Sequence, residues 1–105
     1  MKQQSLFVYA LKHPSSREEA FARLVSEYKE RLYWHIRKIV LDHDDSNDVV
    51  QNTFIKVHLN IENFKENSTL YTWMYRIATN EALNFINSKA KKMGLQNQEW
   101  VEAVA

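Results

Sequence analysis

The segment STLYTWMYRIATN (residues 68–80) decides the fold, because its spacing separates two unlike faces. On a helix, apolar side chains at positions i, i+3, i+4, i+7 and i+8 share one face and point to a core. That face holds Leu70, Trp73, Met74, Ile77 and Ala78. The opposite face carries aromatic, hydroxyl, amide and guanidinium groups: Tyr71, Thr72, Tyr75, Arg76, Thr79 and Asn80. The segment therefore predicts an amphipathic helix whose outer face carries two tyrosines, where a solvent-exposed face would ordinarily carry charged and polar residues.

Composition favours one all-helical domain. The chain has 105 residues, which fits a single domain with a working core. It contains one glycine and one proline, so few residues are available for turns, and 45% of its residues are hydrophobic. We expect an all-α fold, a compact bundle of three to four helices.

Apolar spacing and breaks in it divide the chain into helices. A short N-terminal segment, 1–14, precedes predicted helices at about 16–41, 45–59 and 69–92, which together form a domain of residues 1–92. Residues 93–105 either begin a linker or form a terminal helix.

Capping patterns set the predicted helix ends. The pairs Ser16 with Glu19 and Asp45 with Asp48 have capping-box spacing at the starts of the first two long helices. Ser68 or Thr69 caps the third, and Gly94 ends it.

Several chemical functions are excluded. Without cysteine there are no disulfides, thiolate metal sites or cysteine nucleophiles. Asp42, Asp44, Ser46 and Asp48 alternate as in a calcium loop, but Asn47 and Thr53 stand where such a loop needs glycine and glutamate. A single glycine cannot build a phosphate-binding loop. We expect no enzyme activity, no metal and no cofactor.

The charge and hydropathy of the chain limit the kinds of partner that it is expected to bind. The net charge of +1 argues against a free-standing binder of duplex DNA. The longest apolar run, residues 6–11, is too short to span a membrane, and no signal-peptide pattern opens the chain. We expect a cytoplasmic protein without membrane insertion.

The outer face of the third helix and the loop before it, NIENFKENS (residues 60–68), combine aromatic and basic groups. Aromatic rings stack on bases, and arginine or lysine meets phosphate, in proteins that hold single-stranded nucleic acid. Alternatively, the tyrosines pack on a neighbouring helix and the polar residues are only surface. The residues alone leave both interpretations open.

Two motifs point to a family. DDSNDVVQNTFIKV (residues 44–57) and, after a short loop, STLYTWMYRIATNEALNFI (residues 68–86) closely resemble region two of extracytoplasmic-function (ECF) sigma factors. These are promoter-specificity subunits of bacterial RNA polymerase. AFARLVSEYKERLYWHIRKIV (residues 20–40) is similar to the first helix of that domain. The resemblance implies a helical bundle that binds the polymerase core and helps to open promoter DNA in transcription initiation.

The resemblance implies a polymerase-binding surface on the second long helix, which would contact the clamp helices of the largest polymerase subunit. By motif position its residues are Asp48, Gln51, Asn52, Ile55 and Lys56. Helical spacing exposes them if Val50, Phe54 and Val57 point inward, which makes Phe54 a core residue and Ile55 the apolar anchor.

The resemblance also implies a DNA-binding surface for the promoter minus-ten element, bound as a separated non-template strand with one base flipped into the loop. The candidate pocket residues are Asn63, Phe64, Lys65, Asn67 and Ser68, and the strand path follows Tyr71, Thr72, Tyr75, Arg76, Thr79 and Asn80. An anti-sigma factor is a further expected partner. Primary sigma factors have two adjacent tryptophans in this segment, whereas here Trp73 precedes Met74, and we expect Trp73 to face inward.

Two alternatives remain beside this interpretation. One is a helical protein-interaction module that binds an anti-sigma factor or polymerase without touching DNA, and the other is a general single-strand binder. The family's second domain, a helix-turn-helix, does not follow Gly94. We expect either an excised piece of a longer sigma factor or a free-standing region-two protein.

Overall fold

The computed structural model describes residues 3–94, which form four α-helices and no strand. These are α1 (Gln3–Lys12), α2 (Arg17–Val40), α3 (His43–Asn60) and α4 (Leu70–Lys92). A short 3-10 turn, Ile61–Asn63, opens the loop between α3 and α4. The predicted all-α fold is confirmed, and the interpretation of residues 95–105 lies outside the described residues.

The three long helices enclose one core. Each of α2, α3 and α4 contacts the other two, so they form a three-sided bundle, and α1 packs along α2. The core is built from aliphatic side chains of all three long helices, including Leu24, Leu32 and Ile36 of α2, Val49 and Val57 of α3, and Leu70, Met74 and Ala78 of α4. Removing this apolar surface from water is the main stabilising contribution to the fold.

Two capping predictions are wrong. The Ser16 hydroxyl donates to the Ala10 carbonyl at 2.9 Å and makes no capping bond, because Ser16 has φ −119° and ψ −5° instead of the extended backbone that an N-cap adopts. The cap of α3 is Asp42, whose carboxylate accepts from the Asp45 amide at 2.9 Å. Asp45 instead pairs with Lys89 of α4 at 3.1 Å.

Helix α4 begins and ends at the residues that the capping patterns in the sequence predict. The Thr69 hydroxyl accepts from the Thr72 amide at 3.1 Å, so Thr69 is the N-cap. After Lys92, Gly94 has φ +78° and its amide donates to the Lys91 carbonyl. Glycine adopts this left-handed conformation without penalty, so it ends the helix cleanly.

The loop between α3 and α4 is anchored by two buried side chains, Ile61 and Phe64. Between Phe64 and α4, Glu66 has φ +57°. The left-handed conformation costs a non-glycine residue roughly 1–2 kcal/mol, so contacts from elsewhere must hold this loop in shape.

Candidate nucleic-acid interface and docking face

The face of α4 that was predicted to follow the DNA strand contains both partly buried and exposed residues. Tyr71 and Thr79 are partly buried against α2, and Thr72 is partly buried beside the Thr69 cap, whereas Tyr75, Arg76 and Asn80 are exposed. The tyrosines therefore do pack on a neighbouring helix, as one of the open interpretations held. They nevertheless reach the surface, and Tyr75 is 39% exposed.

Four rings from α2 and α4 form an aromatic row, defined as Tyr28, Tyr71, Tyr75 and His35. Tyr28 stacks on Tyr71 with centroids 5.5 Å apart, and Tyr71 lies 5.9 Å from Tyr75. Tyr75 stacks on His35 at 3.8 Å with an interplanar angle of 24°. The row lies along the seam between the two helices, and its π-faces are of the kind on which bases stack.

Arg31 of α2 adds a cation to the aromatic row. Its guanidinium carbon lies 3.9 Å from the Tyr71 ring centroid and 5.5 Å from that of Tyr28. Within residues 3–94 no carboxylate lies at ion-pair distance from Arg31, and its side chain is exposed. A guanidinium held on two rings is a preorganised donor for a phosphate.

Hydrogen bonding fixes His35 in the aromatic row. Its Nε2 lies 2.7 Å from the Thr79 hydroxyl, which is also 2.9 Å from the Tyr75 carbonyl. Because the single hydroxyl proton of Thr79 goes to that carbonyl, His35 Nε2 carries the proton that bonds to Thr79 Oγ1. Burial, with a smaller contribution from Lys38, lowers the pKa of His35 below its usual 6.5. Burial thus favours the uncharged form of His35.

In the loop between α3 and α4 most polar side chains are exposed, whereas the aromatic side chain is buried. Asn63, Lys65 and Asn67 are exposed, and Ser68 is partly buried. Phe64, however, is only 2% exposed, and its ring lies 5.0 Å from that of Trp73. Its ring is therefore not available to line a pocket, which corrects the expectation from sequence. The loop needs an apolar anchor to close against α4, and Phe64 fills that position together with the inward, partly buried Trp73.

The outer side of α3 carries a docking stripe, defined as Asp48, Gln51, Asn52, Ile55, Lys56 and Leu59. All six side chains are exposed, and Phe54 is buried as expected. Ile55 is 55% and Leu59 70% exposed, so two apolar side chains one turn apart stand among polar ones. Lys56 is partly engaged, because its Nζ lies 2.6 Å from the Glu81 carboxylate of α4.

Comparison with known proteins identifies the family. Residues 24–92 match Sigma-70 region 2. The chain belongs to the sigma-70 region 2 family. It is 39% identical over 75 residues to the ECF RNA polymerase sigma-E factor of Haemophilus influenzae and 35% identical over 72 residues to the ECF RNA polymerase sigma factor SigW of Bacillus subtilis. The predicted resemblance to ECF region two is thereby confirmed.

These similarities cover most of this chain but less than half of each relative. The alignment with sigma-E takes in 71% of the chain and 39% of the relative, and that with SigW takes in 69% and 38%. The RNA polymerase sigma-H factor of Pseudomonas aeruginosa is 36% identical over 75 residues, again 71% of the chain and 39% of the relative. The chain thus spans about two fifths of the length of these sigma factors.

Sequence reasoning missed the part of the region 2 surface that α2 supplies. Tyr28, Arg31 and His35 recur at i, i+3 and i+7, so they share a helix face, but none of them is predicted from sequence to lie on a binding surface. Leu59, four residues after Ile55, was missed in the same way. The helical spacing of these residues can be read from the sequence, but it does not show which neighbouring helix the face packs against.

Two further properties concern residues 3–94. Nowhere in that range do three histidine, aspartate or glutamate side chains gather as a metal site. None of the described helices is both long and apolar enough to cross a membrane.

Proposed function

We propose that this region 2 chain serves transcription initiation as part of an ECF sigma factor, binding the polymerase core and the separated non-template strand of the minus-ten element. One observation carries the proposal: the aromatic row with Arg31 lies on the α2–α4 seam, whereas the docking stripe lies on the outer side of α3. Since α2, α3 and α4 form a three-sided bundle, these surfaces lie on different sides. The domain can then hold polymerase and DNA at once.

On the DNA side, the strand follows the α2–α4 seam and ends at the loop. A base stacked on Tyr75 gains about 1–3 kcal/mol, and Arg31 and Arg76 neutralise phosphates nearby. The exposed amides of Asn63 and Asn67, the Ser68 hydroxyl and Lys65 offer hydrogen bonds to a flipped base. Extruding a base costs a few kcal/mol, which stacking and these contacts offset.

On the protein side, Ile55 and Leu59 are the apolar centre of the docking stripe, and Asp48, Gln51 and Asn52 are its polar surround. Such a centre excludes water from the contact, while the polar groups set orientation. The clamp helices of the largest polymerase subunit are the proposed partner. A net charge of +1 suffices if polymerase delivers the domain to DNA, because the second contact is then effectively intramolecular.

The docking half is tested by a pull-down of the chain with the clamp-helix fragment of polymerase. Ile55→Asp should weaken binding at least about tenfold, because the carboxylate would be desolvated at the centre of the contact. Leu6→Asp is the matched control, since Leu6 of α1 is 54% exposed and lies outside the stripe. Equal binding by wild type and Ile55→Asp would remove α3 from the docking surface.

The DNA half is tested with polymerase core, the chain and a labelled single-stranded oligonucleotide selected by the wild-type complex from a randomised pool. Tyr75→Ala should weaken strand binding about tenfold, and binding should fall steeply with salt. If the row only holds α2 to α4, as in a protein-interaction module, Tyr75→Ala would leave strand affinity unchanged. Regulation by an anti-sigma factor and a cytoplasmic site of action belong to the same proposal.

A further inference from the structure

Three side chains of α1 reach the loop that precedes α4. Lys12 Nζ donates to the Phe64 carbonyl at 2.7 Å. Gln4 Oε1 accepts from the Leu70 amide at 2.8 Å, and the Ser5 hydroxyl donates to the Glu66 carboxylate at 3.2 Å. Val8 and Leu11 of α1 are buried in the core, so the helix that carries these polar groups is itself fixed.

The contacts fall at the two ends of the exposed part of the loop. Lys12 holds the carbonyl of Phe64, the last buried anchor, and Gln4 holds the amide of Leu70, the first residue of α4. Amides in the first turn of a helix have no partner within the helix, so Gln4 satisfies a donor that α4 cannot. Between these two points lie residues 65–69, which include the left-handed Glu66.

We infer that α1 is a positioning element that holds residues 65–69 in the conformation that captures the flipped base. Lys12 and Gln4 are its positioning residues. The inference rests on the proposed function, because Lys65, Asn67 and Ser68 are candidate pocket residues. The family match begins at residue 24, so α1 lies outside it. The physical reason is preorganisation: a loop that is competent only part of the time binds its ligand more weakly by that fraction.

The test compares Lys12→Met with wild type in the 105-residue chain bound to polymerase core, using the selected oligonucleotide described above. We expect strand affinity to fall about tenfold, as for a loop that is competent one tenth of the time. Polymerase binding should not change, and Lys12→Arg, which can still donate to the carbonyl, should restore most of the affinity. Lys29→Met is the matched control, because it removes the same charge from an exposed lysine of α2.

Salt dependence separates positioning from direct contact with DNA. A lysine that neutralises one phosphate of a single strand contributes about 0.7 to the slope of log affinity against log salt. The positioning role predicts an unchanged slope in Lys12→Met. A slope smaller by that amount, or a strand affinity equal to that of wild type, would overturn the inference.

Hydrogen exchange tests α1 independently of DNA. Lys12→Met and, as a second variant that retains all charges, Gln4→Leu should each speed amide exchange in residues 65–70 several-fold without changing exchange in the middle of α3. If wild type binds no strand, the proposed function fails, whereas unchanged exchange in both variants would refute the positioning role itself.

Discussion

The docking stripe on α3 and the aromatic row between α2 and α4 are both proposed binding surfaces, but they are built differently. Ile55 projects into solvent, whereas Tyr71 is partly buried between Tyr28 and Arg31. Apart from Lys56, which pairs with Glu81, the stripe leaves its side chains free for a partner, whereas the row also uses its side chains to hold the bundle together. Substitution of Ile55 should therefore affect binding alone, whereas substitutions on the row should affect both binding and stability.

Truncation of the row should produce the largest loss of stability. Tyr71→Ala removes two ring contacts and the cation–π contact with Arg31, and we expect about 2 kcal/mol less free energy of unfolding. For a domain of this size that lowers Tm by roughly 10 °C. Ile55→Ala should change the free energy of unfolding by less than about 0.5 kcal/mol. Urea and thermal unfolding measure both.

Tyr71→Phe is the control for this comparison, since it keeps the ring and removes only the hydroxyl. It should retain most of the stability that Tyr71→Ala loses. Equal losses for Tyr71→Ala and Ile55→Ala would erase the distinction between the two surfaces.

The ion pair between Lys56 and Glu81 is the point where the docking stripe is tied to the bundle. A double-mutant cycle with Lys56→Met and Glu81→Gln should give a coupling of about 0.5–1 kcal/mol, because about half of the lysine side chain is exposed, so that solvent screens the pair although Glu81 is largely buried. Repeating the cycle at high salt should shrink the coupling. A coupling that does not respond to salt would mean that Lys56 is held by packing.

Lowering the pH should destabilise the fold through His35 in the aromatic row and should not act through the docking stripe. This change in the free energy of unfolding is the smallest effect that we expect. Because the pKa of His35 is lowered in the folded state, the unfolded chain binds more protons just below pH 6.5. The free energy of unfolding should therefore fall as pH drops below about 6.5 through the lowered pKa. His35→Gln should remove that part of the pH dependence. Identical profiles of wild type and His35→Gln between pH 7 and 5 would contradict this.

Much of the fold was predictable because local rules and packing agree. The spacing in residues 68–80 places Leu70, Met74 and Ala78 inward, and the structure buries all three. Thr69 and Gly94 set the ends of α4 as their side-chain and backbone chemistry dictates. Capping at Ser16 failed because the preceding turn gives that residue a backbone conformation that a local pattern does not show.

By itself, the sequence determined an all-α bundle, the inward faces of the helices and the exposure of the α3 residues from Asp48 to Lys56 that the stripe shares with the prediction, because these follow from composition and from the 3.6-residue period of a single helix. The family followed from the resemblance of two motifs, residues 44–57 and 68–86, to ECF region two. Only the tertiary structure decided that Tyr28, Arg31 and His35 join Tyr71 and Tyr75, that Phe64 is an anchor and that α1 reaches the loop. These contacts join residues far apart in the chain. Their formation depends on the crossing and register of packed helices, which no single segment encodes.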